Sequence, residues 1–311
     1  MSKGVMNNMK IICSKSNLLY GVNIVSKAVP TRTTMAILEC ILIDASAGEI
    51  KLTANDMELG IETKIEGEIE ERGIIALDAK VFSDIVRKLP DNEVVIETDS
   101  SFKTTITCEK AKFNIIGKSG EDFSYIPYIE RNEEITISQF TLKEVIRQTI
   151  FSIADNDNNK LMTGELFEIN ENSLKVVSLD GHRISIRNIE LKNNYEHKKV
   201  VVPGKTLQEI SKILSTDAEN MVNVYFTNNH ILFEFDNTTV VSRLIEGEYF
   251  KINQMLSSDY ETKLKINKKE FLDCIDRATL LVREVDKKPI IINITDNDME
   301  LRIDYRWLIR G

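Results

Sequence analysis

Asp180, Gly181, His182 and Arg183 place an acid, a glycine, an imidazole and a guanidinium within four positions, at the end of the stretch LMTGELFEINENSLKVVSLDGHRISI (161–186). In an enzyme such a group would supply a general base and a cationic partner. A general base needs a group to orient it and a nucleophile to serve, and the neighbouring residues offer neither. The structural alternative is that Asp180 and Arg183 satisfy each other and the backbone of a tight turn at Asp180-Gly181. Alternating apolar runs at 166–169 and 174–177 flank a polar, Asn-rich segment, which predicts a β-hairpin, and a further strand is expected at 184–189. A hydrolase using Asp180, His182 and Arg183 stays as a rival, marked by an activity lost in His182→Ala with folding intact.

Other chemistry finds little support. Cys13, Cys40, Cys108 and Cys274 form no CxxC pair and the three histidines are far apart, so no disulfide framework, metal site or cofactor is expected. No stretch approaches eighteen apolar residues and MSKGVMNN lacks an apolar signal region, which predicts a soluble intracellular protein. A chain of 311 residues with 42% hydrophobic content suffices for two to three domains. Residues 1–8 are expected to hang loose, with the fold starting at Met9.

The elements around the turn recur. IKLTAND at 50–56 and LKVVSLD at 174–180 are 124 residues apart. The phrases at 16–28, 142–154 and 268–282 also match, with Leu18, Val145 and Phe271 as equivalent apolar positions, which indicates duplication. A strand at 74–77, a helix at 79–89 capped by Asp78 and stopped by Pro90, and strands at 93–97, 103–107 and 112–116 return as 199–202, 206–215, 223–227, 230–235 and 239–245. The copies are placed at 9–131, 132–258 and 259–311, the last holding only the first half of the pattern. TDNDMELR at 295–302 imitates TANDMELG at 53–60 out of phase, since 291–303 follows the strand pattern of 42–54. Closely spaced strands with few helices predict an α+β fold, antiparallel sheets with helices packed on one face.

The chain carries a net charge of −9, yet its five helical segments sum to +5 and leave −14 on strands and loops. If those helices share a face, that face is basic on an acidic protein and would track phosphates without reading bases. Its residues would be Lys15, Lys27, Lys80, Arg87, Lys143, Arg147, Lys205 and Lys212. The rival from another class is a repeat-built scaffold that binds proteins but no DNA.

SLDGHRI, LMTGELFE, KFNIIGKSGEDFSYIP (112–127), TRTTMAIL (31–38) and the repeat together resemble the bacterial DNA polymerase III beta subunits, the sliding clamps, over about residues 9–303. The resemblance implies a non-catalytic processivity factor in the cytoplasm, at the nucleoid, with three domains per chain. Each domain is a pair of strand-helix-strand units, with sheets outside and helices inside. Two chains close head to tail around duplex DNA and hold the polymerase, clamp loader and other partners by short peptides. It gives the DGHR turn a place in an apolar peptide pocket, with Met162, Leu179, Gly181, His182, Ile184, Phe250 and Met255. Phe250 and Ile252 depart from the proline and aromatic common there. Arg32 and Lys160 match places that touch DNA. Lys112 and Phe113 match one ring-closing edge, and Leu280 and Leu281 its complement. With the third copy following the repeat only to about Asp304, Phe271, Leu272, Ile275 and Ile291 lack cover. The chain by itself is therefore expected to be mainly monomeric or prone to aggregate, to bind clamp peptides poorly and not to be retained on circular DNA.

Overall fold

The computed structural model describes residues 8–131, 134–155, 159–256, 259–280, 282, 288–295 and 298–303. The chain divides into two units, Met1–Tyr249 and Phe250–Gly311. In the first unit, one repeat runs β1 (Met9–Ser14), α1 (Lys15–Val25), β2 (Cys40–Asp44), β3 (Ile50–Asn55), β4 (Leu59–Ile65), β5 (Glu68–Glu71), β6 (Ile74–Asp78), α2 (Ala79–Lys88), β7 (Glu93–Thr98), β8 (Lys103–Cys108), β9 (Ala111–Ile116) and β10 (Lys118–Ser119). The next runs β11 (Glu134–Ser138), α3 (Gln139–Thr149), β12 (Gly164–Leu179), β13 (Ile184–Pro203), α4 (Gly204–Ile213), β14 (Met221–Phe226), β15 (His230–Phe235) and β16 (Thr238–Arg243).

Each repeat opens with a strand whose last serine caps a helix. The Ser14 hydroxyl accepts from the Asn17 N–H at 3.1 Å and the Ser138 hydroxyl from the Thr141 N–H at 3.1 Å, satisfying donors that a helix start leaves open. These caps correct the equivalence of Leu18 with Val145. Four residues past each cap stand Leu18 and Leu142, both buried and 124 apart, the spacing also found between IKLTAND and LKVVSLD. Val145 lies three residues on, on the same helix face, so an apolar pattern alone could slip by that step. Asp78 caps α2 as expected, accepting from the Val81 N–H at 2.8 Å. The buried stripe Phe82, Ile85 and Val86 then turns α2 to the core, with Pro90 closely following its end.

The strands form a nine-stranded sheet, β10-β6-β2-β3-β4-β16-β15-β14-β11, and a five-stranded sheet, β5-β1-β7-β8-β9. The larger sheet crosses from one repeat to the other where β4 meets β16 in antiparallel register. There Ile61 pairs with Val240, both 0% exposed, and the Thr63 and Thr238 hydroxyls meet at 2.9 Å. One core cluster takes residues from both repeats, Leu18, Ile61 and Phe82 with Phe167, Leu207 and Phe233. The repeats are thus not two beads on a string but share one interior.

Three strand expectations need correction. The Asn-rich segment at 170–172 is not a hairpin turn; β12 continues through it, with irregularities either side of Glu171, whose φ is +52°. A bulge lets the apolar positions before and after it both face inward while pairing with β13 continues, so the turn of this hairpin is Asp180–Arg183 itself. The strands expected at 184–189 and 199–202 are the two ends of β13. β5, made almost wholly of exposed acids, was not foreseen.

The second unit holds a short helix α5 (Ile252–Met255), α6 (Lys268–Thr279) capped by Asn267, and a hairpin of β17 (Ile291–Ile294) with β18 (Met299–Arg302). The ladder pairs Ile291 with Arg302 as the first repeat pairs Leu42 with Thr53, which bears out the in-phase alignment. No described residue of α6 is buried, and Leu272, Ile292 and Ile294 are about half exposed. The expectations for residues 1–7, for Leu281 and for 304–311 fall outside the described residues. Among the described residues no helix is long and apolar enough to cross a membrane.

Candidate functional site

The Asp180 carboxylate organises the turn. One oxygen accepts the backbone N–H groups of His182 and Arg183 at 3.0 and 3.1 Å, and the other accepts the Arg183 Nε–H at 2.8 Å. These donors, the His182 amide foremost and then the Arg183 guanidinium, hold its carboxyl below the usual carboxylate range, so Asp180 is a committed acceptor and a poor base. Gly181 has φ +86°, a conformation that side-chain-bearing residues adopt only with strain. Arg183 also lies over the Phe151 ring, 5.8 Å from its centroid. His182 is exposed, and its imidazole has no hydrogen-bond partner among the described residues, so the orienting group of a catalytic dyad is missing there. The turn is tied together by its own side-chain and backbone hydrogen bonds.

The residues expected beside it are placed as follows. Met162, half-buried, sits in the helical turn Lys160–Thr163 that leads into β12, with its carbonyl accepting the Ala154 N–H at 2.8 Å. Ile184 is half-buried and pairs across the ladder with Leu179. Leu179 is 0% exposed and packs in the interior, so it can support a bound segment from behind but offers it no surface. Phe250 and Met255 belong to the second unit, Met255 being about half exposed.

The basic residues are less uniform than their sequence positions suggest. Arg87, Arg147 and Lys212 each pair with an acid three residues earlier, Asp84, Glu144 and Glu209. Lys143 donates to the Leu214 carbonyl at 2.9 Å, and Lys205 pairs with Asp56. Lys15, Lys27, Arg32, Lys80 and Lys160 make no ion pair among the described residues, which leaves them the least compensated cations of the set. A cleft of about 860 Å³ beside α4 is lined by Lys160, Lys205 and Arg243 but also by Glu58, Asp155 and Glu246. With three charges of each sign, its own lining does not favour an anion.

The helices nevertheless form a chain of contacts. Ser26 after α1 meets Ser83 of α2 at 3.5 Å, and α3 holds the end of α4 through Lys143 and through Gln139, whose oxygen accepts the Ser215 N–H at 2.8 Å. The β15–β16 turn bonds to α3, and its charge reaches α1. Asp236 there accepts from Gln139 of α3 at 3.4 Å, and its charge also acts on the Tyr20 phenol of α1, which burial and Asp236 both push up. Elsewhere, Lys112 and Phe113 lie on β9, the edge of the five-stranded sheet, where Phe113 and Ile116 are exposed, Ile116 to 72%. An open edge with apolar side chains is the kind of surface that pairs with another chain. Leu280, at the end of α6, is 77% exposed.

Sequence reading passed over Glu165. It lies in β12 between Gly164 and Leu166 and is wholly buried. The signal was present, an acid beside the apolar pair Leu166-Phe167 at the start of a strand that buries nearly every residue there.

The family description "DNA polymerase III beta subunit, N-terminal domain" matches residues 9–127, and "DNA polymerase III beta subunit, central domain" matches 136–251. A beta sliding clamp of Staphylococcus aureus is 36% identical over 301 residues, covering 94% of this chain and 80% of its own length. A solved DNA polymerase III beta subunit of Eubacterium rectale is 83% identical with a TM-score of 0.93, over 95% of this chain and 80% of that one. A solved sliding clamp of Bartonella birtlesii bound to griselimycin is 25% identical with a TM-score of 0.87, over 94% and 80%.

Proposed function

The chain belongs to the family of bacterial beta sliding clamps, the DNA polymerase III beta subunits, and on that premise we propose how its surfaces divide the work of a non-catalytic processivity factor. The helix layer α2-α1-α3-α4 faces duplex DNA, with Lys15, Lys27, Arg32, Lys80 and Lys160 as its least compensated cations and Arg87, Lys143, Arg147, Lys205 and Lys212 behind them. The observation that carries this reading is the set of cations on α1, the turn after it and α2, namely Lys15, Lys27 and Lys80, that make no ion pair among the described residues. The Asp180–Arg183 turn, with Met162 and Ile184 beside it and Leu179 behind it, takes short segments of the replicative polymerase, the clamp loader and other partners. A tether makes rebinding of the polymerase intramolecular, so weak segment contacts suffice to keep it at the primer end. β9, through Lys112 and Phe113, and the surface around Leu280 serve pairing with a second copy. A replication clamp is a DNA-associated protein of the cytoplasm, and we place this one at the nucleoid.

Griselimycin, bound by the Bartonella birtlesii clamp, serves as the test ligand, and the turn is proposed as its place on this chain. His182→Glu should lower griselimycin affinity at least about tenfold while leaving the thermal midpoint nearly unchanged, because an exposed turn residue contributes little to the core. Equal affinity in the variant would remove the turn from the pocket.

A further inference from the structure

Glu165 is sealed from solvent, and neither of its carboxyl oxygens has a hydrogen-bond partner among the described residues. The Thr149 hydroxyl faces the carboxyl and weakly favours its charged form, but its proton is committed to the Val145 and Ile146 carbonyls, at 2.8 and 3.4 Å. A carboxylate in this place would be an uncompensated buried charge, so the group is held as the neutral acid. Burial pushes it up to about 8.

Three elements bear on Glu165. The end of α3 brings Thr149, β13 brings Val202 across the ladder, and Tyr249, in the segment after β16, is close enough to feel its charge. Of these only Tyr249 titrates, and burial together with the charge of Glu165 pushes its phenol up, so it too is neutral at ordinary pH. Thr149 and Tyr249 are also the residues that hold the end of β12. The Ser178 hydroxyl donates to the Thr149 carbonyl at 2.6 Å, and the Tyr249 hydroxyl donates to the Val177 carbonyl at 3.4 Å with the Leu179 N–H against its oxygen. Residues 177–179 are wholly buried, and Asp180 follows them directly.

We propose that Glu165 is a positioning residue for the peptide-binding turn, whose proton keeps residues 177–179 seated and whose ionisation releases them. The link to partner binding rests on the reading of that turn given above. A carboxylate is a stronger acceptor than a peptide carbonyl, so an ionised Glu165 competes with Val177 for the Tyr249 hydroxyl and draws water toward the seam. The sign follows from the raised folded-state value. The stabilisation is fully present below the ordinary glutamate range, where folded and unfolded chains both hold the proton, and is lost as pH rises through about 8.

Amide hydrogen exchange over residues 176–184, corrected for intrinsic rates, and griselimycin affinity are to be measured at pH 6 and pH 9. The intact wild-type chain is compared with Glu165→Gln and, in case the amide folds poorly, Glu165→Leu. In the wild type, protection and affinity should each fall about tenfold or more from pH 6 to pH 9, and in the neutral variants they should not. The same pH dependence in wild type and variants overturns the proposal. If the exchange difference appears but griselimycin fails to bind at pH 6, the proton device stands and the pocket assignment falls.

Discussion

Reversal of Lys15, Lys27, Arg147 and Lys212 to glutamate should lower affinity for duplex DNA at low salt by about two to three orders of magnitude. Each reversal removes a cation from the helix layer and adds an anion to an already acidic protein, so both phosphate contact and long-range attraction suffer. The effects should be unequal within the set. Arg147 and Lys212 are partly neutralised by Glu144 and Glu209, whereas Lys15 and Lys27 have no ion-pair partner among the described residues. The control is Lys51→Glu with Lys175→Glu, on strands β3 and β12 and paired with Glu62 and Glu168. Fluorescence anisotropy with a short labelled duplex reads both sets. Indistinguishable losses per charge would mean that the cations share no common face.

Ile61→Asp should cost more than about 4 kcal/mol, the largest stability effect expected of a single substitution here. The side chain is 0% exposed at the strand junction, where Val240 opposes it and the sheet passes from one repeat to the next. An aspartate there forfeits the isoleucine's apolar burial and leaves a carboxylate without a partner. Because one core cluster spans both repeats, the whole first unit should lose stability together, seen as one urea transition moved to lower concentration by circular dichroism. Two separate transitions, with only the first repeat weakened, would show that the junction does not couple them.

The parts of this fold that read directly from sequence are those governed by local chemistry. Asp78 announces a helix start because its side-chain oxygen meets a donor three residues on, and Asp180-Gly181 announces a turn because the glycine must take φ +86°. The structural reading of Asp180 with Arg183 held for the same reason, since both partners lie within the turn. What stayed hidden depends on residues far apart in the chain. The polar run at 170–172 looks like a turn, and only pairing with β13 makes it a bulge. The cations of the helices count as +5 by sequence, yet pairing with Asp84, Glu144, Glu209 and Asp56 redistributes which of them are available. Glu165 gives no sign of its isolation in sequence, because what buries it comes from far along the chain, Val202 of β13 across the ladder included.

The central claim is that the helix layer follows the DNA backbone without reading bases. Its most direct test is the affinity of the wild-type chain for two duplexes of unrelated sequence across a range of ionic strength. A phosphate-tracking face predicts equal affinities on the two duplexes and a logarithm of the binding constant that falls linearly, with one shared slope, against the logarithm of salt concentration. A marked preference for one sequence, or an affinity indifferent to salt, would contradict it.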